Sequence, residues 1–133
     1  MKEGRTLYKN EIDLIREIPI YPEKLVEILK KEPLICKHIS LDESIDESGF
    51  GVEMQWMTVN EQLEEMNEFY PGIIVSKYGY LPVGKCLEGS GNPYFIKEID
   101  NELCLFRILH DLDENEIDQG VEFICLLKKI VGI

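Results

Sequence analysis

Turn-forming residues divide the second half of this chain into short segments, and their spacing limits the fold more than any other feature. Between residues 71 and 113, glycine, proline, asparagine and aspartate separate runs that are rich in β-branched and aromatic residues. Turns this frequent leave room only for short strands, so the spacing predicts an antiparallel meander. The predicted strands are 73–75, 80–83, 93–96 and 104–109.

Two helices are predicted in the first half of the chain. Pro22 precedes an apolar stripe that stops before Pro33 and has lysines in its last turn, a pattern typical of a helix. Thr58 and Glu61 have the spacing of a capping box, in which each side chain satisfies a backbone N–H of the first turn. A second helix is therefore expected to follow Thr58.

The remaining segments complete the expected fold. Residues 34–41 and 52–56 have the patterns of strands, and the acidic, glycine-containing residues between them predict an exposed loop. From Asp113 or Glu114 onward, apolar residues recur every three or four positions, which predicts a last helix packed on the sheet. We therefore expect an α+β protein in which residues 1–133 form one domain, with helices packed around a largely antiparallel sheet.

The charge of the chain limits which classes of partner are expected. It has 26 acidic and 14 basic side chains, which gives a formal net charge of −12. Such a surface repels phosphate backbones and anionic lipids, so we expect neither nucleic acid nor a membrane as a partner. No apolar run approaches the ~20 residues of a membrane span. The first residues lack the pattern of a secretion signal, and a cytoplasmic location is expected.

No motif predicts catalysis, a metal or a cofactor. Residues 79–86 match the phosphate-binding pattern G-x-x-x-x-G-K-[ST] except at the last position, where Cys86 replaces the hydroxyl that holds Mg²⁺. The glycines and the proline that follow cannot begin the helix that this motif requires, so we do not expect nucleotide binding. Four widely spaced cysteines without a C-x-x-C pair predict buried free thiols rather than a zinc or redox site.

Acidic residues are concentrated toward the C-terminal part of the chain. Between residues 98 and 122 there are nine acids and one base, Arg107. Several would lie at turn tips and at the start of the predicted last helix, where a basic partner can reach them. The candidate partner-binding residues are Glu88, Glu98, Asp100, Glu102, Asp111, Asp113, Glu114 and Glu116.

Three elements within residues 56–111 resemble the SUKH superfamily, the group that includes Syd and the yeast cell-wall synthesis regulators. The first is Tyr80-Leu81-Pro82-Val83-Gly84, and the second is Leu87-Glu88-Gly89-Ser90-Gly91-Asn92-Pro93-Tyr94-Phe95. The third is Leu105-Phe106-Arg107-Ile108-Leu109-His110-Asp111. In that family a strand with a proline and a glycine leads into a Gly-Ser-Gly-[Asp/Asn]-Pro-Tyr turn, and a later strand ends in His-Asp.

The resemblance implies an α+β domain without a catalytic apparatus. Bacterial members resemble immunity proteins, which are cytoplasmic antidotes that bind and block a toxin domain. Many of these toxins are nucleases and are basic because they bind phosphate, so a strongly acidic chain suits such a partner. The expected partner is therefore a basic, cognate toxin domain. A non-catalytic regulatory or scaffold module that binds a host protein is the alternative, and the oligomeric state stays open.

Overall fold

The centre of the protein is a six-stranded sheet in which every strand pairs antiparallel with its neighbours along the chain. The computed structural model describes residues 3–41 and 51–131. The predicted α+β class with a largely antiparallel sheet is confirmed. The strands are β1 (His38–Leu41), β2 (Val52–Trp56), β3 (Leu81–Cys86), β4 (Tyr94–Ile99), β5 (Glu102–Ile108) and β6 (Val121–Leu126).

Helices precede and interrupt the sheet. The α-helices are α1 (Lys9–Ile15), α2 (Glu23–Lys31), α3 (Val59–Glu68), α4 (Gly72–Val75) and α5 (Lys128–Val131). Two 3-10 helices, Ser76–Tyr78 and Glu114–Gln119, precede β3 and β6. The predicted capping box starts α3, because the Thr58 hydroxyl accepts the Glu61 N–H at 3.2 Å and Glu61 accepts the Thr58 N–H at 2.9 Å.

Among the described helices, none is both long and apolar enough to cross a lipid bilayer.

The two faces of the sheet pack against different helices. On one face, Leu25 and Leu29 of α2 are fully buried in a cluster with Trp56 of β2 and Ile96 of β4. On the other face, a smaller cluster combines apolar residues of α4 and of strands β4 and β5. The members of this second cluster are Ile74, Val75, Phe95, Cys104, Phe106 and Ile108. Burial on both faces explains why the central strands are almost continuously apolar.

Two buried polar side chains join the helices to one another and to the sheet. Gln62 of α3 accepts the Tyr21 hydroxyl at 3.1 Å and donates to the carbonyl of Pro82 in β3 at 2.9 Å. Glu11 of α1 accepts hydrogen bonds from Arg5, one of them at 2.6 Å, and accepts the backbone N–H of Val59 in α3 at 3.5 Å. Buried polar groups are stabilising only when they are paired, so these contacts fix where α1 and α3 lie.

The prediction of a single last helix is wrong. Where the sequence predicted one helix from residue 113 or 114 to 131, the chain forms a 3-10 helix, strand β6 and the single turn α5. The spacing of Ile117, Val121, Ile124 and Leu127 fits a helix, but a strand from Val121 also buries Ile124. The segment forms a strand because its pairing with β5 provides hydrogen-bond partners for the backbone N–H and C=O groups on the outer side of β5.

Two predicted strands also differ. Residues 73–75 belong to α4, in which the successive residues Ile74 and Val75 are both buried, whereas a strand would direct them to opposite faces. The strand predicted for residues 34–41 starts only at His38, since Cys36 has a positive φ of 70° that interrupts an extended chain. The loop predicted for residues 42–51 lies outside the described residues except for Gly51.

Candidate functional site

The turn between β3 and β4 is held in place by its own side chains. The Ser90 hydroxyl accepts the N–H of Asn92 at 3.2 Å and donates to the Glu88 carboxylate at 2.5 Å. The Asn92 side-chain oxygen accepts the backbone N–H of His110 at 3.0 Å. Positive φ angles of 93° at Gly89 and 77° at Gly91 are readily adopted only by glycine. The Asn92 side chain therefore joins the turn to the end of β5.

A buried arginine lies beneath this turn. Arg107 of β5 is 6% exposed and donates to Glu88 at 3.0 Å and to Glu122 of β6 at 3.0 Å. It also donates to the Tyr94 hydroxyl at 3.4 Å and to the carbonyl of Gly51 at 3.0 Å. The guanidinium thus connects the start of β2, the turn after β3, and strands β4 and β6.

The pKa values in this cluster follow from burial and from the arginine. Burial raises the pKa of the Tyr94 phenol well above its usual range, and the hydrogen bond to Glu88 adds to that effect. Burial alone would lower the pKa of the Arg107 guanidinium, but hydrogen bonds to Tyr94 and Glu122 outweigh it and raise that pKa. Arg107 is therefore charged and Tyr94 neutral at physiological pH, so the cluster is an ion network and not an acid–base pair.

A cleft of about 580 Å³ opens above Arg107. Its lining includes Glu88, Ser90 and Asn92 of the turn, and Glu122 of β6. The two carboxylates and the guanidinium leave a formal charge of −1 in the cleft. Because these charges already neutralise one another for the most part, the cleft attracts a cation only weakly.

A strongly negative surface lies between β5 and β6, in a stretch that we call the acidic segment (residues 111–118). Five of its eight residues are acidic and none is basic, and all five acids are exposed. Leu112 and Ile117 pack on the second apolar cluster and anchor the segment. Asp113 accepts the N–H of Asn115 at 2.9 Å and so caps the second 3-10 helix. Within residues 3–41 and 51–131, no basic side chain lies within ion-pair distance of these five carboxylates.

The structure divides the predicted partner-binding residues into two groups. Glu88 lies near the same end of the sheet as the predicted Asp111, Asp113, Glu114 and Glu116. The other three, Glu98, Asp100 and Glu102, lie at the opposite end of β5. A strand of seven residues separates the groups by ~20 Å.

The second group is also partly neutralised. Glu98 lies 3.5 Å from the ammonium of Lys24, and Glu102 lies 3.6 Å from that of Lys128. Asp100 occupies the tight turn between β4 and β5 with a φ of 52°. The first group therefore retains more unpaired negative charge than the second.

The sequence does not indicate the ion network as a unit. Arg107 is the one base among nine acids, Glu122 is one of those acids, and Tyr94 ends the Gly-Ser-Gly-Asn-Pro-Tyr turn, but no contact among the three was predicted. The one feature of the sequence that could have indicated the network is an arginine in the middle of an apolar strand. A buried arginine of this kind requires carboxylates nearby to balance its charge. Its partners at positions 88 and 122 are too distant in sequence for spacing to identify them.

The segment that resembles a phosphate-binding loop forms a strand. Residues 81–86 are β3, and Lys85 pairs with Glu61 of α3 rather than facing an open loop. Among the described residues, no three histidine, cysteine, aspartate or glutamate side chains converge in a way that could hold a metal ion.

Cys36, Cys86 and Cys104 are free thiols. Cys104 and Cys125 are buried, as predicted, whereas Cys36 and Cys86 are half-buried. Burial alone would raise the pKa of the Cys86 thiol, but hydrogen bonds with Ser90 and with the backbone of Glu88 and Gly91 lower it. The turn therefore stabilises the thiolate form of Cys86.

Comparisons of the chain with known protein families, with curated proteins and with solved structures found no match.

Proposed function

We propose that this chain is an immunity protein that binds and neutralises a cognate, basic toxin domain of the nuclease type. The observation that supports this proposal best is the acidic segment, in which five exposed carboxylates within eight residues have no cationic partner in the described structure. Concentrated negative charge of this kind steers a basic protein toward the surface and raises the association rate. It gives no advantage toward nucleic acid or an anionic membrane.

The resemblance to the SUKH superfamily supports the same proposal independently of charge. A nuclease must be basic where it binds its phosphate backbone, so an acidic protein that covers this surface blocks its substrate directly. Such an antidote needs no chemistry of its own, and it would act in the cytoplasm, where the substrates of the toxin are.

Co-expression with the toxin domain encoded by the neighbouring gene tests the proposal. We expect the chain to restore growth and to bind the purified toxin domain. Replacing Asp111, Glu116 and Asp118 with lysine should slow association at least about tenfold, because the steering charge is reversed. Asp113 is left unchanged, since it caps the 3-10 helix.

The matched control replaces three exposed acids on or near α1 and α3 with lysine, which changes the net charge by the same amount. These acids are Glu17, Glu64 and Glu68. Equal slowing by both triple variants would show that only total charge matters and would contradict a role for the acidic segment. Failure of the unchanged protein to bind or to protect would reject the antidote function. Binding to a host protein without protection would instead support the regulatory alternative.

A further inference from the structure

A second groove, of about 510 Å³, lies between the two 3-10 helices. One side is formed by Tyr78, which is 50% exposed, and by Tyr80. The other side is the second 3-10 helix, which contributes residues 114–119. The volume falls within the ~300–1,000 Å³ typical of small-ligand sites, so the groove has room for a side chain but not for a helix.

The aromatic side of the groove is fixed before any partner arrives. The ring of Tyr80 packs edge-to-face on Phe106, with 5.3 Å between ring centres. Gly79 has a positive φ of 90°, which turns the chain sharply between the two tyrosines. Lys97 already places its ammonium 4.7 Å from the centre of the Tyr80 ring. This contact shows within the protein itself that the aromatic side accepts a cation.

The charges that line the groove set it apart from the other grooves. Three carboxylates, Glu114, Glu116 and Asp118, face one ammonium, Lys97, which leaves a formal charge of −2. The cleft above Arg107 has a formal charge of −1. A third groove, beside α1 and α2, has three basic and two acidic residues and a formal charge of +1. Of these three grooves, the one between the 3-10 helices is the most negative and so the most favourable for a positive side chain.

We infer that this groove binds a single arginine or lysine side chain of a basic partner protein. The exposed ring of Tyr78 offers a flat surface on which a guanidinium stacks, while Glu116 and Asp118 pair with its charge. Arginine is favoured over lysine, because its planar group can stack and donate hydrogen bonds to carboxylates at the same time. The inference rests on the proposed function in that the partner is the same basic protein.

Binding of a short peptide tests the inference directly. The probe is a five-residue peptide with two arginines, and the matched peptide has citrulline, which is neutral and nearly isosteric, at both positions. We expect the arginine peptide to shift the backbone NMR signals of Tyr78, Tyr80 and Ile117 in a saturable way. The citrulline peptide should leave these signals unchanged, because it retains the shape but lacks the charge.

Two variants and a control locate the site. Glu116→Gln with Asp118→Asn should weaken binding of the arginine peptide about fivefold, and Tyr78→Leu should weaken it by a similar factor. The control, Asp13→Asn with Glu17→Gln, makes the same change in net charge on and next to α1 and should alter the affinity less than about twofold.

Several outcomes would overturn the inference. These are equal binding of the citrulline peptide, shifts confined to the cleft above Arg107, and equal weakening by the control. Tighter binding of spermine than of the peptide at the groove would point to a free polyamine instead.

Toxin protection separates this inference from the proposed function. If the unchanged chain protects cells and the groove variants protect equally well, the groove inference fails while the antidote function stands. If the unchanged chain binds the arginine peptide in the groove but does not protect, the antidote function fails while the groove stands.

Discussion

At the scale of single residues, the Arg107 guanidinium adds side-chain hydrogen bonds to those that the backbone of β5 makes with β4 and β6. It holds the turn at Glu88 and the strand at Glu122, and it also reaches the carbonyl of Gly51. A planar group with five N–H donors can serve all of these acceptors at once, which an ammonium cannot. One side chain therefore ties the turn after β3 to strands β5 and β6.

Replacing Arg107 with methionine is expected to lower the free energy of unfolding by about 3 kcal/mol, since it leaves partly buried carboxylates without their counter-charge. Urea unfolding at neutral pH measures the change. The matched control is Arg16→Met, because Arg16 pairs with Asp13 on the surface and both side chains are more than half exposed. Its effect should stay below about 0.5 kcal/mol. Similar losses in the two variants would contradict the structural role of Arg107.

Glu65 makes the stability depend on pH. Burial raises the pKa of its carboxyl to about 7 from an ordinary 4.5, although the N–H of Gly72 partly offsets that rise. Because the folded pKa is higher than the unfolded one, folding favours the protonated form. This stabilising effect is complete below the unfolded pKa and is lost as the pH rises through about 7.

Replacing Glu65 with glutamine should therefore stabilise the protein at about pH 8 relative to its effect at about pH 5. The relative gain is expected to be about 1 kcal/mol after allowing for the partial exposure of the carboxyl. Unfolding in urea at the two pH values measures it, and Glu64→Gln, on the exposed side of α3, is the control. An effect of Glu65→Gln that is the same at both pH values would show that its carboxyl titrates normally.

At the scale of elements, α3 and α4 meet where only a glycine fits. A Cβ atom at Gly72 would lie 2.1 Å from the backbone oxygen of Glu65, and a backbone atom cannot move aside as a side-chain end can. Gly72→Ala should therefore force the two helices apart and lower the unfolding free energy by about 2–3 kcal/mol. Thermal unfolding measures the loss, and Ser76→Ala in the next 3-10 helix is the control. A melting temperature equal to that of the unchanged protein would mean that the helices separate without penalty.

The elements that the sequence predicted correctly are those whose signals are local. The capping box at Thr58, the proline-started helix α2 and the β4–β5 hairpin each depend on residues within a few positions of one another. The prediction of a last helix was wrong because the spacing of the apolar residues is compatible with two structures. It fits a continuous helix, and it also fits a turn that ends at Gly120 and is followed by a strand. Choosing between them requires knowing that β5 lacks a partner on its outer side, which is a property of the sheet.

The candidate site was predicted in part for the same reason. The acidic residues of segment 111–118 are visible in the sequence, and the structure leaves them exposed. Which acids remain unpaired could not be predicted, because Lys24 and Lys128 reach Glu98 and Glu102 from helices at distant positions. The groove beside Tyr78 and Tyr80 could not be predicted, since its other side comes from residues 114–119, which are distant in the sequence.

At the scale of the whole molecule, the net charge of −12 acts against folding. Like charges repel most strongly at low ionic strength, so the melting temperature should rise when NaCl increases from about 10 mM to about 300 mM. Neutralising the acidic segment with asparagine and glutamine, while Asp113 is kept, should make this rise smaller. A melting temperature that falls with salt would mean that the ion pairs outweigh the net repulsion.

The order of the sheet places β1 and β6 at its two edges. Among the described residues, β6 is hydrogen-bonded only to β5, whereas β3 and β4 each have two neighbours. Local opening of β6 therefore breaks one ladder and leaves the others intact, and its amides should exchange with solvent sooner than those of β4. The acidic segment is attached to this strand through Gly120. The surface proposed to meet a partner is thus attached to an edge of the sheet that can open locally while the central strands stay paired.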